Sequence, residues 1–365
     1  MTFAFETDYA AILHQLKHLD IRQYAATRNF VDGAVTRLSP YISRGVISTK
    51  QVFDQVMSQG HSFSSIEKFI QELAWRDYWQ QLWVENGEQI NHDLKRPQPS
   101  VKHHLMPTAI INANCKIEAI DQAISQMYQN GYMHNHVRMY TAFLACNLAK
   151  SHWLKPAKWM YYHLLDGDWA SNALSWQWVA GANANKQYIA NQDNINKYCR
   201  STQKNSYLDV SYEELAQLPI PAELIETDDF CAETQLPATP TPTFDNNLPT
   251  LIYNYYNLDP VWRKQQKVNR VLLLEPSVFA QYPVADKNIE FVLALAKNIE
   301  GLQVFSGEFS QLQQLQGNDN FIYKEHPLNR HYQGQQDERD WMFPVYGGYP
   351  SFFAFWKKCK KTIKD

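Results

Sequence analysis

Between residues 218 and 250 the chain carries six prolines, Pro219, Pro221, Pro237, Pro240, Pro242 and Pro249, among many acids and threonines. Proline fixes φ and removes a backbone donor, so this stretch can be neither a helix interior nor a central strand. It reads as a linker that builds no core. A chain of 365 residues is long enough for two domains, and the linker divides it into residues 1–217 and 251–365.

The two sides have different periods. Up to about residue 200 the apolar residues recur at helical spacing. SSIEKFIQELAWRDYWQQLWVENG, with Ser64 and Ser65 as caps and Gly87 beyond its end, is one helix. MHNHVRMYTAFLACNLAKSHWL is another, and PAKWMYYHLLDGD starts a third with proline in its first turn. After the linker, RVLLLEPS, LQVFSG and NFIYKEHP read as short buried strands. They alternate with VADKNIEFVLALAKNIEG, which Asp286 would cap and Gly301 would end, and with EFSQLQQLQG. A β-α-β-α-β run implies a small, mostly parallel sheet. It contains no GxGxxG or P-loop pattern, so nothing there marks a nucleotide site. The expected class is a mainly α N-terminal domain followed by a small, Rossmann-like α/β domain.

Charge and cysteine usage narrow the possibilities. Residues 1–200 hold 19 Lys and Arg against 16 Asp and Glu, and the rest hold 15 against 21, for a net charge of −3. Any nucleic-acid contact must therefore be local rather than a broad basic field. Cys115, Cys146, Cys199, Cys231 and Cys359 form no CxxC pair and are odd in number, which points to reduced thiols in a cytoplasmic protein without a metal site. No apolar run is long enough to span a membrane. The N-terminal MTFAFETDYA lacks the basic region of a secretory signal.

Four stretches mix groups that want water with groups that want burial. In DGDWASNALSWQW, residues 166–178, Asp168, Asn172 and Trp176 fall on one helical stripe behind Asp166. That suits a flat heteroaromatic ligand, and equally a capped helix with aromatic packing. TRLSPYISRGVIS gathers Thr36, Ser39, Ser43 and Arg44 at a helix start, where free N–H groups can hold phosphate or simply be capped. ELAWRDYW puts Glu72, Trp75 and Trp79 on one face, with Arg76 placed to pair with Glu72. In YMHNHVRMY, His134 and His136 cannot share a helix face, whereas Asn135 and Met139 do.

Together, and in this order, the four stretches resemble the photolyase/cryptochrome flavoproteins over roughly residues 20–200. The resemblance implies FAD as cofactor. Tyr24, the Thr36–Ser39 turn (Thr36, Arg37, Leu38, Ser39), Arg76, Asp166 and Asp168 would hold it, and Asn172 would face flavin N5. This last position is typically Asn in repair enzymes, Asp in plant photoreceptors and Cys in animal ones. The resemblance assigns Glu72, Trp75, Asn135, Met139 and Trp178 to a pyrimidine-dimer pocket, and Trp176 and Trp153 to the first two members of an electron-transfer chain. The third tryptophan is missing, because no Trp lies between Trp83 and Trp153. The antenna domain that precedes the helical domain in the family is absent from its place, and the C-terminal α/β segment is only faintly similar to part of it. The implied activity is light-driven splitting of cyclobutane pyrimidine dimers in DNA, single-stranded DNA included, with Glu72 and Asn172 taking part. A cryptochrome-like blue-light sensor is the alternative reading. A flavin-binding partner protein without photochemistry and a 6–4 photoproduct repair enzyme stand behind it.

Overall fold

A computed structural model describes residues 4–363; Met1–Phe3 of the N-terminal stretch lie outside it. The helical half is built from α1 (Tyr9–Lys17), α2 (Thr49–Met57), α3 (Phe63–Asn86), α4 (Glu118–Asn130), α5 (Asn135–Phe143), α6 (Leu154–His163), α7 (Trp169–Ala180) and α8 (Gln192–Cys199). Helix α7 is its centre. It packs against α3, α5 and α6, and it buries residues around nearly its whole circumference, among them Trp169, Ala173, Leu174, Trp176 and Gln177. Only the stripe of Ser171, Asn172, Ser175 and Trp178 reaches toward solvent, so a polar residue on the buried side, such as Gln177, must find its partners inside. Gly131 ends α4 at φ +72, where a Cβ would meet Leu165 Cγ at 2.4 Å, so only glycine lets the chain turn against that side chain.

Three local expectations are corrected. The stretch read as one helix over 133–154 is broken. Helix α5 passes into a π turn at Leu144–Leu148, and Lys150 then adopts φ +62. Helix α3 is preceded by Ser62, whose side chain makes no capping bond, in place of Ser64 or Ser65. Asp286 is the first helical residue of its segment and not its cap.

Beyond residue 249 lie β1 (Thr250–Tyr253), β2 (Asn269–Leu274), α9 (Asp286–Ala296), β3 (Leu302–Ser306), α10 (Phe309–Gln316), β4 (Phe321–Lys324), β5 (Gln335–Asp337) and α11 (Phe352–Lys360). All pairings are parallel, and the strand order is β3-β2-β1-β4-β5. Two strands escape the sequence pattern: β1, which abuts the proline-rich stretch, and the short polar edge strand β5. The order reverses between β1 and β4, and ligands of open α/β sheets sit in the crevice outside the strand ends at such a switch point.

The two halves share one continuous hydrophobic core, from Phe5 to Cys359. The proline-rich stretch is laid down as a strap. Asp228 and Thr227 pair with Met106 and Pro107, Thr234 exchanges hydrogen bonds with Val284, and Thr243 with Gln303. At the centre of the junction is Arg44, which is fully buried. Its guanidinium lies 3.6 Å from the ring centroid of Tyr255, donates to the carbonyl of Gly167 and faces Tyr256. The backbone joins the halves at the same place, Leu258 N–H donating to the Arg44 carbonyl at 2.9 Å.

Replacing Arg44 should therefore weaken both halves at once. A desolvated cation–π contact is worth about 2 kcal/mol and a hydrogen bond from a charged donor about 1.5–3 kcal/mol. Arg44→Ala is expected to cost about 2–5 kcal/mol, with helical and α/β signals lost in one urea transition. Two separated transitions in the wild-type protein would show that the shared core does not couple them.

Candidate functional site

The site is assembled on the N-terminal end of α7. Asp168 caps that helix, its Oδ1 accepting from Ser171 N–H at 2.7 Å. Its other oxygen accepts from Gln80 Nε2 at 2.5 Å and faces Arg76 at 3.4 Å, both of α3. The sequence pairing of Arg76 with Glu72 is thus corrected. Arg76 turns inward, and Glu72 pairs with Lys68 at 2.7 Å and Arg28 at 3.6 Å. The reason is burial: the Asp168 carboxylate is nearly inaccessible and an unpaired charge there would cost several kcal/mol, whereas Glu72 is half-buried and has nearby cations.

Asp166 lies one residue beyond a glycine from Asp168 and is held separately. One guanidinium nitrogen of Arg138 of α5, Nη2, donates to both oxygens of Asp166, at 3.0 and 2.9 Å, while Nε of the same arginine donates to the Met133 carbonyl. Ser43 links the two acids: its hydroxyl accepts from Arg76 at 2.6 Å and donates to the Asp166 carbonyl at 2.7 Å. Arg138 and Arg37 lie over opposite approaches to the Tyr132 ring, at 5.6 and 5.1 Å. Arg37 adopts φ +54 and Leu38 is right-handed helical, so successive N–H groups after Thr36 form a concave turn of the kind that binds anions. Leu38 itself is buried in the core, so only its backbone can serve. Tyr24 packs edge-on against Phe69 at 5.0 Å and borders Glu72 and Tyr132.

Along this face several buried polar atoms have no protein partner: Ser171 Oγ, His134 Nε2 and His136 Nε2. Burial, with neighbouring cations second, pushes both imidazoles down to about 4. They are neutral at pH 7 and can donate or accept a hydrogen bond without adding charge. Arginines 28, 37, 76 and 138, neutral imidazoles, hydroxyls and a concave anion-binding turn form a donor set that fits the diphosphate, ribose and ring edges of FAD. The crevice at the sheet switch point adjoins this set: it is lined by Ser43, Arg76, Gln80 and Asp168 together with Lys324, His326 and Arg339, and holds about 120 Å³.

The remaining expected residues are placed as follows. Asn172 donates to the Ala157 carbonyl at 2.8 Å and is partly exposed. Trp176 and Trp153 are both buried, and the Trp153 N–H donates to Asp93 at 2.7 Å. Asn135 is exposed at the start of α5, Met139 is partly buried on the same helix, and Trp178 is 40% exposed near the end of α7. Trp75 is not open. Phe352 of α11 stacks on it with centroids 3.8 Å apart and planes 10° from parallel. Sequence reasoning missed Arg138, Arg28 and Gln80. Only Arg138 left a signal, inside YMHNHVRMY, where the histidines drew the attention. Among the described residues no cluster of His, Cys, Asp and Glu could hold a metal, the five cysteines are free, and no helix is long and apolar enough to cross a membrane.

Residues 69–241 match the FAD binding domain of DNA photolyase. Similar curated proteins include the deoxyribodipyrimidine photo-lyases of Streptomyces griseus, 30% identical over 40% of this chain and 32% of that protein, and of Agrobacterium fabrum, 31% identical over 45% and 36%. The chain thus spans about a third of the length of these relatives. Among solved structures, a bacterial class III photolyase from Agrobacterium tumefaciens aligns with a TM-score of 0.46 at 27% identity, covering 52% of this chain and 42% of that one.

The buried histidines set an acid limit. Folded pKa values near 4 lie below the unfolded value of about 6.5, so the stability tied to neutral His134 and His136 is complete above pH 6.5. It is lost as pH falls toward 4, at up to about 1.4 kcal/mol per unit for each ring. His163, lowered by burial to about 3, adds to the slope. Asp77, raised by burial to about 6, opposes it, gaining stability over part of the same range. Three rings against one carboxyl predict a net fall in the urea midpoint between pH 6.5 and 4.5. A flat profile would mean that the rings are solvated.

Proposed function

Because the helical half of this chain belongs to the photolyase/cryptochrome family, we propose that the protein is a light-dependent DNA repair enzyme that splits cyclobutane pyrimidine dimers. FAD, the cofactor of the matched domain, supplies an electron on illumination when bound in its reduced form. The single observation that carries the reading is the pairing of a complete donor face for FAD with exposed Trp178 on the helix that Asp168 caps. An indole there can replace the stacking a flipped base loses, at about 1–3 kcal/mol.

The residues divide the work. The Thr36–Ser39 turn and Arg37 would take the diphosphate, and Arg138 fixes Asp166 so that its position survives ligand exchange. Arg76 and Gln80 fix Asp168 in the same way. Asn172, anchored to the Ala157 carbonyl, would present its amide oxygen toward the flavin ring edge. Trp176 and Trp153 are buried from water and could relay an electron to the cofactor. Glu72 and Asn135 would read the edges of the flipped bases, and Met139 would add apolar contact.

The sensor reading has one observation in its favour: Phe352 covers the Trp75 face that a base would use. Illumination of the reduced protein with a dimer-containing oligonucleotide separates the two, since a repair enzyme restores intact thymines and a sensor does not. In the same assay Trp178→Ala should raise the Kd for damaged DNA by about 5- to 150-fold, the equivalent of one base–aromatic stack, while leaving the bound FAD in place. Asp168→Ala should instead lower the ratio of flavin to protein after purification. Full flavin content in Asp168→Ala would place the cofactor elsewhere.

A further inference from the structure

The segment that covers Trp75 has a composition of its own. Residues 341–361 contain eight aromatics, the last of them Trp356, followed by four lysines, Lys357, Lys358, Lys360 and Lys361, and no acid. Only Lys360 has a carboxylate partner, Glu67 at 3.0 Å. Lys357, Lys358 and Lys361 are exposed with no ion-pair partner among the described residues. Phe353 is 70% exposed and Tyr346 52%, the latter with its hydroxyl against Glu338, so an open ring, that of Phe353, lies on the same helix as unpaired cations. At the other end of the segment, Lys95 donates to the Pro350 carbonyl at 3.0 Å. Partial burial and the adjacent Arg96 lower its pKa, so two cations are crowded together without a carboxylate. Aromatic platforms beside unpaired cations are what a single strand of nucleic acid recognises: bases stack and phosphates pair.

We propose that α11 and the turn leading into it form part of a single-stranded DNA-binding face. In it Phe352 sits on Trp75 as an internal stand-in for a base, and Lys357, Lys358, Lys361, Lys95 and Arg96 take phosphates. The inference rests on the repair reading for its ligand, but it adds to Trp75, Lys95 and Arg96 the contacts of a helix, α11, that lies outside the residues matching the photolyase domain. The parallel Phe352–Trp75 stack keeps the site dry and preformed when no strand is bound. A base entering against Trp75 must displace Phe352, which is 2% exposed and also packed on Tyr78 and Trp356. The strand's backbone then runs along the lysine edge of α11.

Binding of fluorescent single-stranded oligonucleotides to the full-length flavoprotein, measured in the dark over a range of salt, tests this. Lys357→Glu/Lys358→Glu/Lys361→Glu changes only exposed side chains and should remain folded by circular dichroism. It should weaken binding of intact and dimer-containing strands alike, and reduce the log–log salt slope by roughly 2, at about 0.7 per phosphate contact. Phe352→Leu should free the Trp75 face and tighten binding of the dimer-containing strand several-fold, with increased acrylamide quenching of tryptophan fluorescence. An unchanged salt slope in the triple variant, or lysine-dependent binding to anionic phospholipid vesicles with none to DNA, overturns the proposal. Lysine-dependent DNA binding by a protein that restores no thymines on illumination would leave this surface standing and sink the repair reading alone.

Discussion

Arg44 is the constraint on which the two-part architecture turns. A guanidinium cannot shed its charge, so burying it obliges the surroundings to supply aromatic faces and carbonyl oxygens. Here one half of the protein supplies the arginine and the Gly167 carbonyl, and the other half supplies Tyr255 and Tyr256. Among the described residues no carboxylate forms an ion pair with it, and Asp166 and Asp168, which flank Gly167, are held by Arg138 and Arg76. The junction and the candidate flavin face are thus built from one charge pattern. Displacing the sheet from Arg44 would leave a cation facing the two carboxylates beside Gly167 and draw them away from their own arginines.

That coupling explains why the site is rigid where a ligand must be gripped. Asp166, Asp168, Arg76, Arg138 and Ser43 form a closed set of charge-assisted bonds buried between α3, α5 and α7. Such bonds are strong in a low-dielectric interior, but each member left alone would be expensive. The atoms that remain unpartnered, Ser171 Oγ and the His134 and His136 Nε2 atoms, are therefore informative. They lie where neither charge nor packing required a partner, at the border of a face with a surplus of guanidinium groups.

Much of this was readable in the sequence because helical periodicity is local. Asp168 at the head of α7, the Gly87 stop and the alternation of strand and helix after residue 269 need only neighbouring residues. What was not readable is long-range. Glu72 and Arg76 are four apart on one helix and look like a pair, but Arg76 is drawn to Asp168, 92 positions away. The prolines of 218–250 forbid regular structure but say nothing about docking, and only the fold shows the stretch strapped across both halves. Strand β1 was hidden because its four buried residues abut that same stretch, and β5 because an edge strand needs no apolar alternation.

The covering of Trp75 is the hardest feature to foresee, and it changes how the aromatic face must work. Within ELAWRDYW the stripe of Trp75 and Trp79 could have been core or site. The structure makes it core on the side of α11, where Phe352 stacks on Trp75 and is itself backed by Trp356, and Phe355 packs on the neighbouring Tyr78, while Trp178 stays open on α7. Stacking at Trp75 is thus already satisfied without a ligand, and a flat ligand reaching it must exchange one aromatic contact for another, gaining little net affinity there. Trp178 needs no such exchange, because its ring is 40% exposed and meets only the tilted ring of Tyr188 among the described rings.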